Sequence, residues 1–169
     1  MMIEKLIAAK VRKAIDDAAE RREFRGLYPF DQFPNDCCEH ACDVLAYLLS
    51  LAGIETVQIN GTYIKDEMQH HVWLQTEAGV IIDITEDQFA GTIADHNEVV
   101  TVRVGDEGPV QRAFCMNRTV QENTSFMNPN EYMGFNKAPS VRQRRLKEIY
   151  QVIKEHYSTK GYEEDSIIE

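Results

Sequence analysis

Apolar positions in the first twenty residues recur at helical spacing. Ile3, Ile7, Val11, Ala14, Ile15 and Ala18 are separated by lysine, arginine, aspartate and glutamate. This stripe predicts an amphipathic helix over residues 3–22, packed by one face. A stronger stripe, Cys38, Cys42, Leu45, Leu48, Leu49 and Ala52, predicts a helix over 38–52. Asn35 or Asp36 is placed to cap it, because a short side-chain oxygen can accept an otherwise orphan N–H bond there. Gly53 stands where a left-handed residue ends a helix. Between the two stripes, Gly26, Pro29 and Pro34 punctuate an extended connector rich in aromatics.

The period then changes to two. Thr56–Thr62, His71–Gln75, Val80–Thr85 and Val99–Val104 read as strands, the last ended by Gly105. The second and third are joined around Thr76-Glu77-Ala78-Gly79 as a hairpin. Residues 106–138 contain Gly108-Pro109, Asn128-Pro129-Asn130 and Gly134, and predict a long, partly irregular segment. Ser140 caps a final charged helix reaching about Tyr157, and Glu163-Glu164-Asp165 is expected to be loose. No repeat or long linker divides the chain. The expectation is one α+β domain over 1–169, with a catalytic core at about 30–90.

With 43% hydrophobic and 27% charged residues, the chain can bury a sizeable core, which argues against disorder as its main state. The formal net charge of -10 repels phosphate backbones and anionic lipid. The densest basic stretch, Lys137–Lys147, reads as a solvated helix face, so no nucleic-acid partner is expected. No apolar run approaches the ~20 residues of a membrane span. The N-terminus lacks a signal-peptide core, so a cytoplasmic location is expected. Of four cysteines, Cys37, Cys38 and Cys42 fall within six residues and Cys115 stands apart, a spacing that suits reduced thiols rather than a disulfide framework.

Cys38 opens a predicted helix, where partial positive charge and free N–H groups favour a thiolate. A base must come from elsewhere. A hairpin centred on Glu77 sets His71 opposite Asp83 and Trp73 opposite Ile81, with Val72, Leu74, Val80 and Ile82 on the other face. An aspartate in an otherwise apolar strand asks for a partner, and His71 is the natural one. The carboxylate can then hold one imidazole nitrogen while the other faces a thiol. Acyl chemistry also needs oxyanion donors. The Cys38 N–H is one, and the side chain of Gln32, six residues earlier, is a candidate for another. Cys37 competes with Cys38 for the nucleophile's role, since helix starts are uncertain by a residue or two.

At these residues the chain resembles the papain-like and transglutaminase-like cysteine enzymes. Papain-type peptidases place a Gln six residues before the nucleophile, as Gln32 stands to Cys38. Transglutaminase-like domains show a Cys opening a helix, a Gly fifteen residues later, then His-x-Trp and a following Asp-x-Thr, matched here by Cys38, Gly53, His71-Val72-Trp73 and Asp83-Ile84-Thr85. Small, mostly uncharacterised bacterial and phage members look similar over about residues 30–90. The closeness of His71 to Asp83 along the chain favours the transglutaminase-like arrangement. The resemblance implies a nucleophile helix packed against an antiparallel sheet. It also implies a hydrolase or acyl transferase acting on a peptide or amide bond, with a peptide or protein substrate and no cofactor. Two other readings stand beside it. One is an inactive binding module that kept the fold. The other is a metal or redox protein using Cys37, Cys38, His40 and Cys42, whose spacing is not that of common zinc sites. His96 and His156 are expected to have no role, and Phe126, Tyr132 and Phe135 to line a groove or pack on the core.

Overall fold

The computed structural model describes residues 2–93, 97–127 and 138–159. His96, Asn128-Pro129-Asn130, Tyr132, Gly134, Phe135, Lys137 and residues 163–165 lie outside the described residues. Among the described residues, four α-helices, α1 (Ile3–Glu20), α2 (Cys38–Ser50), α3 (Pro109–Ala113) and α4 (Val141–Thr159), accompany five strands. These are β1 (Thr56–Tyr63), β2 (Asp66–Thr76), β3 (Ile81–Asp83), β4 (Arg103–Gly105) and β5 (Met116–Gln121). The strands form one sheet in the order β4-β3-β2-β1-β5, and every neighbouring pair is antiparallel.

Both faces of the sheet are covered. On one, α1, α2 and α4 pack Val11, Ile15, Leu45, Leu49, Leu146 and Ile149 against Val72, Leu74 and Ile82. Each fully buried leucine or isoleucine there contributes about 1.5–3 kcal/mol by leaving water. On the other face, Ile59, Trp73 and Ile81 meet Phe89, Val110 and Phe114, supplied by α3 and the 3-10 turn Glu86–Phe89. The predicted partition of β2 and β3 by alternate residues is therefore observed, with a packed layer on each side. Among the described residues no helix is long and apolar enough to cross a membrane.

Several expected boundaries are corrected. The first helix stops at Glu20 because Arg22 turns left-handed, φ 58°, and the Glu23 N–H bonds back to the Ala18 carbonyl at 3.0 Å. Neither Asn35 nor Asp36 caps α2. Asp36 is left-handed at φ 57°, and the cap position falls to Cys37, with no side-chain bond to the first turn. At the other end the chain reverses at Gly53, φ 78°, as the sequence leads one to expect. Strand β4 begins only at Arg103, since the Thr101 carbonyl is drawn away to the Arg12 guanidinium, 3.3 Å. The stretch expected to be irregular after residue 105 contains α3 and β5. Ser140 does cap α4: its hydroxyl accepts the Gln143 N–H at 3.1 Å, and the Gln143 carboxamide accepts the Ser140 N–H at 2.8 Å. His156, expected to be without a role, pairs with Glu23 at 2.5 Å and joins α4 to the chain after α1.

The hairpin register is also corrected. Leu74 faces Ile82 and Gln75 faces Ile81, so the turn centres on Ala78 rather than Glu77. The shift moves the pairing by two residues. Faces are conserved, because side chains alternate with period two, and His71 meets Asp83 diagonally instead of directly.

Buried Arg12 of α1 ties this region together. Its guanidinium donates to the Ile84 carbonyl at 2.8 Å and to both Asp87 oxygens at 2.7 and 2.8 Å, and it lies 4.8 Å from the centre of the Phe33 ring.

Candidate active site

Histidine 71 is fully buried, and its Nε2 bonds to Asp83 Oδ2 at 2.6 Å. Three aromatic rings enclose it: Phe89 edge-on at 4.9 Å, Phe114 at 5.5 Å and Trp73 at 5.7 Å between centroids. The other ring nitrogen, Nδ1, is buried and has no hydrogen-bond partner among the described residues. The Cys38 thiol is near enough to favour a proton on the ring, but it forms no hydrogen bond with Nδ1.

Electrostatics in this pocket are dominated by the carboxylate. Burial opposes a charge on His71, but the attraction and hydrogen bond of Asp83, aided by Cys38, outweigh it and raise the imidazole pKa to about 10. Burial likewise opposes the Asp83 charge, and His71 together with the Thr85 donors holds that carboxyl below its ordinary range. An imidazolium–carboxylate pair is the state both directions describe.

Asp83 is satisfied on every side. Oδ1 accepts the Thr85 N–H at 2.9 Å and the Thr85 hydroxyl at 3.2 Å, while Oδ2 accepts from His71 and from Gln111 Nε2 at 2.8 Å. The carboxylate thus caps the turn at Thr85 with one oxygen and pairs with His71 through the other. Beyond it stands Glu86, also fully buried, in a bidentate ion pair with Arg103 whose Nη2–Oε1 arm is 2.7 Å. Gln111, Glu86 and Arg103 carry no signal in the sequence reading. The Asp83-Ile84-Thr85 segment did mark Thr85's neighbourhood.

The three clustered cysteines separate cleanly. Cys37 is buried, donates to the carbonyls of Pro29 at 3.1 Å and Asn35 at 3.0 Å, and has its ionisation pushed far up by burial. It secures the loop before α2. Cys42 is buried, donates to the Val72 carbonyl at 3.6 Å, and is also shifted well up by burial. Cys38 alone of the three is partly open to solvent, in the uncapped first turn of α2. His40, two residues on, has its pKa lowered to about 4 by burial and by Arg142 and Arg145, which makes it neutral at ordinary pH. Gln32 is exposed at the end of the 3-10 turn Phe30–Gln32, and no hydrogen bond joins its carboxamide to Cys38 among the described residues. No group of three metal-ligating side chains occurs among the described residues.

Two hollows lie elsewhere. One of about 580 Å³ is floored by Phe24, Phe30 and Phe33 and rimmed by Arg22 and Arg25. Another of about 430 Å³ lies between α2 and the chain after β5, lined by Asp43, Tyr47, Thr56 and Asn123. Neither is lined by Cys38 or His71. Against family models, curated proteins and solved structures, the chain matches none.

Proposed function

We propose that this chain is a cysteine-dependent hydrolase or acyl transferase with a papain-like or transglutaminase-like fold, acting on a peptide or amide bond through Cys38, His71 and Asp83. The observation that carries the reading is the 2.6 Å His71–Asp83 bond, which leaves a buried, unpartnered Nδ1 beside the only partly exposed thiol of the Cys37–Cys42 cluster. In this reading His71 and Cys38 rest as imidazolium and thiolate. Sulfur attacks the acyl carbon, and the carbonyl electrons move to oxygen, where the Cys38 N–H and Gln32 are the proposed donors. His71 gives its proton to the departing amine, leaving a thioester. Water or a second amine then attacks, His71 takes its proton, and the thiolate leaves. Asp83 keeps its charge throughout and orients the ring.

A second reading, an inactive binding module, draws support from the complete burial of His71 and from hollows placed away from Cys38. Alkylation with iodoacetamide across pH, with mass-spectrometric site identification, separates the two. The enzyme reading expects Cys38 to react at pH values below the ordinary thiol range of about 8.5, and expects that reactivity to be lost in Cys38→Ser and to collapse in His71→Ala. Reaction only in the ordinary range, indifferent to His71→Ala, would move the assignment to the binding module.

A further inference from the structure

Among the groups packed around the His71–Asp83 pair, one has chemistry beyond filling space. We infer that Gln111 is a positioning residue: its buried carboxamide stands between Asp83 and Glu86 and holds the Asp83 carboxylate against His71. The inference rests on the Cys38–His71–Asp83 reading above.

The orientation of the amide is fixed by its neighbours. Oε1 accepts the Gly108 N–H at 3.0 Å, so the NH₂ group must face the carboxylates. Nε2 then donates to Asp83 Oδ2 at 2.8 Å and to Glu86 Oε2 at 3.3 Å, one proton to each. Gln111 and Glu86 are both fully buried and Asp83 nearly so. Two carboxylates this close in a dry pocket raise each other's proton affinity unless donors separate them. Arg103 answers Glu86 from the far side. Its guanidinium occupies the space that a side chain on Gly108 would need, since a Cβ there would come within 2.1 Å of Arg103 Cζ. A glycine at 108 therefore lets the Arg103 guanidinium and the N–H that orients Gln111 occupy the same corner.

Gln111 acts on His71 through Asp83. Four donors saturate the carboxylate: two from Thr85 on Oδ1, then His71 and Gln111 on Oδ2. Both oxygens are pinned, so the carboxylate plane cannot swing away from Nε2. Gln111, Asp83 and Glu86 are all buried, and a donor lost in such a site is costly. A glutamine that merely filled space would have no reason to divide its two protons between two acidic groups.

The test reads Asp83 directly, by ¹³C NMR titration of its carboxyl carbon in Cys38→Ser protein, with and without Gln111→Leu or the milder Gln111→Asn. A donor to a charged acceptor in a buried site is worth about one pH unit or more of that acceptor's titration. The expected result is an upward shift of the Asp83 midpoint of at least that size. Gln58→Leu is the control, a buried carboxamide bonded instead to Asp43 at 2.7 Å. It is expected to lower stability without moving Asp83. In the unsubstituted chain, the Gln111 side-chain amide ¹⁵N and ¹H signals must titrate at the Asp83 midpoint, a reading that needs no variant to fold. An unmoved Asp83 midpoint, or amide signals blind to it, overturns the role of Gln111 alone. Slow, His71-independent alkylation of Cys38 overturns the enzyme reading alone, because the carboxyl titration does not involve the thiol.

Discussion

Replacing Asp83 with asparagine, in a Cys38→Ser background that removes thiol ionisation, keeps the shape of the site and deletes its charge. Asp83 accepts four hydrogen bonds in the native chain. Asparagine can accept on one side only, so two buried donors lose their acceptor at about 1–3 kcal/mol each. The loss of charge also reverses the ionisation of His71. With the carboxylate present, Asp83 still holds the imidazole pKa above the unfolded value near 6.5, toward the value of about 10 that it reaches with Cys38 in place. The attraction therefore stabilises the fold in full below about pH 6.5 and is lost as pH climbs toward 10. Asp83, held low, adds its share above about pH 4, so both contributions are in place between about pH 4 and 6.5. In Asp83→Asn burial alone acts on His71 and favours the neutral ring. The difference in unfolding free energy between parent and variant is thus largest near about pH 4 and shrinks as pH rises, by at most about 1.4 kcal/mol per unit. Between about pH 7.5 and 9.5 the gap should narrow by about 2 kcal/mol. Urea denaturation at those two values, with unchanged slopes to show that the unfolded states match, measures it. A penalty of the same size at both would refute the ion pair and leave only lost hydrogen bonds.

Two further expectations concern the surroundings. Cys37→Ala removes a weak donor from two loop carbonyls and should cost about 1 kcal/mol, while the alkylation of Cys38, followed by mass spectrometry, keeps its rate and pH profile. Arg142→Met strands Asp43, which is 1% exposed and bonded to that guanidinium at 2.6 Å. Thermal denaturation should show a loss of about 3 kcal/mol near pH 7. That loss should become smaller in mild acid, where Asp43, whose proton affinity is already raised by burial, takes up a proton.

Much of the helix and strand plan is legible because periodicity reports burial. The faces of β2 and β3 could be read from the alternation of Val72, Leu74 and Ile82 with His71, Trp73 and Ile81. The turn between them could not, because alternation fixes which side a residue faces and says nothing about how many residues the reversal consumes. That is why the predicted pairing was two residues out while every side chain faced the expected way. Helix α3 is five residues long, too short to display a helical period, and β5 is exposed along most of its length, so it lacks the alternation that marks a half-buried strand. Gln111 arrives at Asp83 from a distance of 28 residues along the chain. Nothing local distinguishes it from any other glutamine. Cys37 and Cys38 could be ranked by their place at the helix start, but the carbonyls that occupy the Cys37 thiol become visible only when the loop closes.

Arg12 carries a consequence for genetics. One guanidinium touches the ring of Phe33, on the approach to Cys38, and the carbonyl of Ile84, the residue immediately after Asp83. The two halves of the site, far apart in the chain, are hung from one pin in a helix that supplies neither. Under the proposed Cys38–His71–Asp83 reading, a screen for loss of function would therefore recover Arg12 alongside His71 and Asp83. Its lesion would have a different signature, since both halves would drift together while every reactive group remained chemically intact.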